Sequence, residues 1–245
     1  ETGLTEGKHC SVCNEVLVAQ TVVPATGHTL GESYYRVDGG KLYLIENPCE
    51  KGDYEEKAEI AKGTVVEIAK EADLHVVLGA GYSVVLAEDI DLTKSITLDG
   101  VNVTLDLAGH TISADYEAEK VVEVVCATNG AQVVITGNGQ MISGTKGTHI
   151  NVVSSIYGSN VTIENGTFIS GGCSVIFARY DGATVTINGG RYEAKQKYID
   201  GKYYTLDIGE DAICDVKINV YGGEFVDEPT VEIKYEFDDY YYDAA

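Results

Sequence analysis

The sequence predicts an all-β protein: a right-handed parallel β-helix with three short strands per turn, preceded by a small N-terminal Cys/His module and a β-rich adaptor. Three observations predict it. Five segments line up as internal repeats: "NVTLDLAGHTIS" (102–113), "QVVITGNGQMIS" (132–143), "NVTIENGTFIS" (160–170), "TVTINGGRYEA" (184–194) and "VKINVYGGEFVD" (216–227). Each joins an alternating β-branched run to a glycine corner and a second short strand. The corner glycines Gly109, Gly139, Gly166, Gly190 and Gly223 are spaced by 30, 27, 24 and 33 residues. Such an uneven period suits coils with loops of different length, whereas a propeller blade takes about 40 to 50 residues. Finally, a third apolar run precedes each of the last four repeats: "VVEVV" (121–125), "INVVS" (150–154), "SVIFA" (174–178) and "YTLDI" (204–208).

Each element has its own reason. Residues 1–32 hold Cys10, Cys13 and His28 in "GLTEGKHCSVCNEVLVAQTVVPATGHT". A C-x-x-C with a following histidine supplies three of the four ligands that structural zinc takes. The same residues read equally well as an empty or oxidised C-x-x-C, and less well as a redox pair, which would need a βαβ context. Residues 33–68 form the β-rich adaptor, where "SYYRVDGGKLYLIE" has a D-G-G turn between two Tyr-flanked runs. In 69–82, Leu74, Val77 and Leu78 lie at helical spacing. A helix there is expected to cap the open edge of the coil. The coil itself spans 83–227, its first turn being "SVVLAEDIDLTKSITLDG". Alternation places Val161, Ile163, Val185, Ile187, Val216 and Ile218 in its interior, with Phe168 turned inward after its corner. Residues 228–245 are an acidic, Tyr-rich C-terminal cap or tail.

Composition narrows the function. Apolar residues make up 44% of the 245, enough for a sizeable core, and no apolar run approaches the 18 residues of a membrane span. A net charge of −22 repels phosphate backbones and anionic lipid, so neither nucleic acid nor an anionic lipid surface is expected as a partner. The six cysteines are too sparse for a disulfide scaffold, and Cys126, Cys173 and Cys214 read as buried thiols. The chain opens at Glu1 without a signal peptide and is expected to be a piece of a longer protein.

"LAEDIDLTKSITLDGVNVTLDLAGHTIS" and "VTIENGTFISGG" resemble the pectate-lyase-like β-helix domains of large surface proteins from gut anaerobes, over about residues 83–227. The N-terminal module is similar to a short Cys/His repeat that occurs in tandem in such proteins. The resemblance implies a secreted or cell-surface location and neighbouring domains in a longer chain. It is weak for activity, because such coils carry lyases, hydrolases, tailspikes and adhesins alike.

No catalytic set emerges from the residues. A lyase of this type needs calcium-binding acids on one strand face beside a basic arginine, and the only arginines are Arg36, Arg179 and Arg191. Asp89, Asp91 and Asp106 read as structural, and His75, His110 and His149 have no nucleophile with an orienting carboxylate. Tyrosine is the unusual resource: 17 residues against four phenylalanines and no tryptophan. Tyr157 and Tyr180 hold matching places before the corners "YGSN" and "YDGA", so they are expected to stack on adjacent turns. Tyr198, Tyr203 and Tyr204 sit in the inserted loop "KQKYIDGKYYTLD". These five form the expected binding surface. The leading expectation is a non-enzymatic, adhesin-like rod recognising a host glycoprotein, antibody or glycan. The alternatives are a calcium-dependent lyase or glycoside hydrolase acting on acidic polysaccharide, and a stalk without a ligand.

Overall fold

The computed structural model describes residues 3–23, 27, 29–52, 54–117, 121–147, 149–198, 201–209 and 215–227. These residues fall into two compact units. One is drawn from Glu1–Tyr34 and Leu44–Ala58, the other from Tyr35–Tyr43 and Glu59–Ala245.

The smaller unit has two short antiparallel pairings. Gly3–Leu4 lies against Val22–Val23, and Lys8–His9 against Val16–Val18. A single bridge joins Leu30 to Cys49. Leu4, Val12, Val16, Leu17 and Val22 are exposed, so these hairpins enclose no core of their own.

The larger unit is built mainly from three parallel sheets of stacked strands, beside a two-stranded parallel pairing of Val121–Val122 with His149–Ile150, an arrangement consistent with a parallel β-helix. The first sheet stacks Val66–Ile68, Val84–Leu86, Asn102–Asp106, Gln132–Thr136, Asn160–Ile163, Thr184–Ile187 and Lys217–Val220. The second stacks Ile90–Asp91, Thr111–Ala114, Gln140–Ser143, Thr167–Ser170, Arg191–Ala194 and Glu224–Phe225. The third stacks Ile96–Asp99, Val125–Thr128, Val153–Ile156, Ser174–Arg179 and Tyr204–Ile208. All five repeats contribute a strand to the first sheet and a strand to the second. Val66–Ile68 adds a rung before the expected first turn.

The recurrent V-T-I positions fill the core. Val133, Val161, Val185 and Ile218 stand in register, as do Ile135, Ile163, Ile187 and Val220. Val161, Ile163, Val185 and Ile187 are fully buried. Each such aliphatic side chain contributes about 1.5–3 kcal/mol of hydrophobic stabilisation. Val216 corrects the expectation: it precedes the last strand and is only partly buried, and Val220 takes the interior place opposite Ile187. In the second sheet Met141, Phe168, Tyr192 and Phe225 form one column. The rings of Phe168 and Tyr192 stack at 5.2 Å, and those of Tyr192 and Phe225 at 5.0 Å. The buried Tyr192 hydroxyl donates to the Gly189 carbonyl at 2.7 Å, as a buried phenol requires.

The corner column also differs by one residue in its first member. Thr111 pairs with Gln140, which places His110, not Gly109, level with Gly139. Ala108 and Gly109 are both left-handed in this turn, so its corner uses two such residues. Gly139 is required for another reason: a Cβ there would lie 2.1 Å from the His110 carbonyl oxygen.

A helix spans Glu71–Gly79 and buries Leu74, Val77 and Leu78. It packs against Val66–Ile68, Val84–Leu86 and Ile96–Asp99. Its Asp73 carboxylate accepts the Tyr35 N–H at 2.9 Å, and Glu71 accepts from the Thr93 N–H at 2.6 Å. The D-G-G turn forms with Gly39 and Gly40 both left-handed, between Tyr34–Asp38 and Lys41–Glu46.

Candidate functional site

The third sheet ends in a corner where backbone conformation and residue type disagree. Gly100, Asn129, Tyr157 and Tyr180 occupy equivalent places there, one per turn, each one residue beyond the register Asp99–Thr128 and Ile156–Arg179. All four are left-handed, with φ of 62°, 54°, 50° and 64°. Glycine and asparagine are the residues that tolerate this conformation. Residues 128–131 close a turn through the Ala131 N–H to the Thr128 carbonyl, with Asn129–Gly130 at its centre. Residues 156–159 repeat it through the Ser159 N–H to the Ile156 carbonyl, with Tyr157–Gly158 at the centre. Two successive left-handed residues make a type I′ turn, for which Asn-Gly is the preferred pair. Tyr-Gly is a more strained choice than Asn-Gly, and a bulky residue in a strained position is a reason to ask what its ring does there.

The two rings form one ladder. Tyr157 and Tyr180 stack with centroids 4.3 Å apart and planes 4° from parallel. The Arg179 guanidinium lies 4.6 Å from the centre of the Tyr180 ring. Two groups at those distances cannot share one face, so Tyr180 is sandwiched and Tyr157 carries the outer ring. Tyr157 is 50% exposed. Its phenol is held above the usual range by partial desolvation and then by the adjacent Tyr180. Below it in the column, the Asn129 amide donates to Asp99 at 2.8 Å.

The other three tyrosines form a separate cluster. Tyr198 and Tyr204 meet edge to face at 5.6 Å, and the Lys197 ammonium lies 5.1 Å from the Tyr203 ring centre. The Tyr198 N–H bonds to the Lys202 carbonyl, and the Gly201 N–H to the Tyr198 carbonyl. Tyr204 pairs with Ser174, at the opposite end of the strand that leads to Tyr180. Six residues of strand at about 3.3 Å each put the two clusters roughly 20 Å apart. The five tyrosines are therefore two surfaces, not one.

The remaining candidates can be placed in the same way. Cys10 and Cys13 face each other across a tight turn in which Asn14 is left-handed and its N–H bonds to the Cys10 carbonyl at 2.9 Å. The Cys10 thiol is lowered by the N–H of Cys13 first, then by that of Val12 and by the Cys13 side chain. N–H groups aimed at a sulfur stabilise a thiolate, the form that binds metal. His28 lies outside the described residues. Among the described residues no group of three His, Cys, Asp or Glu side chains is placed to hold a metal ion.

Two clusters escaped the sequence reading. Arg191 lies 2.9 Å from Glu193 and 3.5 Å from Glu224, at the rim of a hollow of about 310 Å³ that also includes Asn138, Asn165 and Thr167. The Arg191 guanidinium is raised, chiefly by its hydrogen bond to Glu193, so it holds its proton more tightly than a free arginine. That is the wrong direction for a base that must abstract one. Glu123 is partly buried and accepts a hydrogen bond from Ser154, and desolvation pushes its carboxyl up. Burial likewise pushes the neighbouring Cys126 thiol far up, so this sulfur is not an activated nucleophile. Neither cluster announces itself in sequence, because Glu193 and Glu224 belong to different repeats, and Glu123 and Ser154 stand on successive turns at positions that carry different residue types.

No protein-family model, curated protein or solved structure matches the chain. Among the described residues no helix is long and apolar enough to cross a membrane.

Proposed function

We propose that this chain is a non-catalytic recognition segment of a secreted or surface-attached protein, with a host extracellular protein or glycan as its partner. In this reading the larger unit is a right-handed, pectate-lyase-like β-helix with three strands per turn, capped by the Glu71–Gly79 helix. Stacked strands give a rigid scaffold, and its corners and loops carry the recognition groups. The observation that carries the reading is the Tyr157–Tyr180 ladder, two aromatic residues kept in left-handed positions where glycine or asparagine would be less strained. The N-terminal module, with zinc held by Cys10, Cys13 and His28, serves as a structural spacer.

A calcium-dependent lyase is the second reading, and the Glu193–Arg191–Glu224 cluster is the observation in its favour. The raised Arg191 and the chain's charge of −22, which repels polyuronates, both weigh against it. The deciding experiment incubates the full chain with acidic polysaccharide and calcium, and separately measures its direct binding to purified host mucosal glycoproteins. Recognition without cleavage, reduced by the pair Tyr157→Asn and Tyr180→Asn, supports the proposal. Calcium-dependent depolymerisation lost in Arg191→Lys would replace it with the lyase reading.

A further inference from the structure

The corner ladder stops abruptly, and where it stops is informative. Four turns place a left-handed residue in this column, and two of them carry rings. Tyr180 has Arg179 on one face and Tyr157 on the other. Among the described residues Tyr157 has Tyr180 on one face only. On its other side stand Asn129, whose side chain is several atoms shorter than tyrosine, and then Gly100, which has none. Strands in a sheet are about 4.8 Å apart, close to the thickness of one stacked ring. The step over Asn129 is thus a ledge one ring high. Its wall is the open face of Tyr157. Its base is the Asn129 amide with the Asp99 carboxylate 2.8 Å from it, both exposed.

We infer that this ledge is a subsite for an uncharged pyranose ring, stacked on Tyr157 and hydrogen-bonded through its hydroxyls to Asn129 and Asp99. The inference rests on the recognition reading above and specifies its ligand. A pyranose has an apolar face of axial C–H bonds that suits an aromatic ring, and a rim of hydroxyls. Asp99 accepts two such hydroxyl protons, and the Asn129 amide can both donate and accept. The ring planes are already fixed by the Tyr180 stack, so little side-chain freedom is lost on binding. Charge sets the class within sugars: a carboxylate in the base and a chain at −22 reject uronic acids, sialic acids and sulfated sugars. A flat protein epitope would need a broader surface than one ring, and the second tyrosine cluster is too distant to extend it.

The test applies the 245-residue chain and four variants to an array of neutral and anionic oligosaccharides, and in parallel to purified host glycoproteins with and without enzymatic deglycosylation. Neutral oligosaccharides with a terminal pyranose should bind. Tyr157→Asn should weaken them by at least ~30-fold, the ratio that corresponds to the roughly 2 kcal/mol typical of an aromatic anchor. Tyr157→Phe should retain binding, because it keeps the stacking face. Asn129→Tyr should abolish it by filling the ledge with a third ring, in a chain whose circular dichroism is unchanged. The paired Tyr198→Ala and Tyr204→Ala variant should bind as the parent does. Preference for anionic sugars, or neutral binding that survives both Tyr157→Asn and Asn129→Tyr, would overturn the inference. Binding only to deglycosylated host protein, lost with Tyr157→Asn, would overturn the sugar subsite while leaving recognition by the ladder intact. Binding to nothing on either surface would overturn both.

Discussion

Replacing Tyr157 by asparagine separates a functional aromatic ladder from a structural one. The substitution converts the Tyr157–Gly158 turn into the Asn-Gly pair that Asn129–Gly130 already forms one turn away. A left-handed position costs an ordinary L-residue roughly 1–2 kcal/mol, and asparagine much less. Relief of that strain therefore returns about 1 kcal/mol. Against it stands the 4.3 Å stack on Tyr180, and an aromatic pair contributes about 0.5–1.5 kcal/mol beyond burial. The ring is 50% exposed, so about half of its burial is lost as well, on the order of 1 kcal/mol. Stacking and burial together slightly outweigh the relief of strain, and the net cost should be about 0.5–1.5 kcal/mol. For a protein of this size that is a fall of about 6 °C in Tm at most. Thermal and urea denaturation of the variant beside its parent measure it. A loss of 3 kcal/mol or more would refute the reasoning, because the ladder would then be holding the corner together and its strain would need no functional explanation.

Other perturbations have equally definite outcomes. Ile163 is fully buried between Ile135 and Ile187, so Ile163→Val should cost about 0.5–1.5 kcal/mol, whereas Ile163→Asp should cost several and open the neighbouring turns to hydrogen exchange. An Asp variant with parental stability would contradict the interior assignment. Glu123 has a folded-state carboxyl raised by burial, so its contribution is fully present below the unfolded carboxylate range and is lost as pH rises through the raised folded value. Glu123→Gln should accordingly gain stability over its parent as pH rises through that window, and a difference independent of pH would count against this. If the N-terminal module holds zinc, one metal per chain copurifies and Cys10→Ser releases it. Elemental analysis that finds no zinc in chelator-free protein would remove the metal from the account.

Much of the larger unit was legible because its signal is repeated. The V-T-I spacing marks one strand of every turn, and alternation alone puts Val161 and Ile163 inward. Two errors came from places where the repeat is imperfect. The corner of residues 107–110 uses two left-handed residues and so moves His110 into the glycine column, and the last strand of the first sheet starts one residue after Val216, at Lys217. The stacking of Tyr157 on Tyr180 was readable from their matching positions before the corners. Their separation from Tyr198 and Tyr204 was not, since it depends on which end of Ser174–Arg179 the inserted loop joins. The left-handed backbone at Tyr157 could be suspected only by noticing that Tyr-Gly aligns with Asn-Gly. The buried acid Asp73 left no periodic trace, because its burial arises where the helix packs against the non-repeating segment at Tyr35.

If the open ring of the ladder holds this protein's ligand, a crystal structure of the chain soaked with its tightest-binding neutral oligosaccharide will reveal it. The expected result is a pyranose lying parallel to the Tyr157 ring, with hydroxyls on Asn129 and Asp99. A sugar found against Tyr198 and Tyr204, or in the hollow beside Arg191 and Glu224, with the Tyr157 face bare, would contradict it.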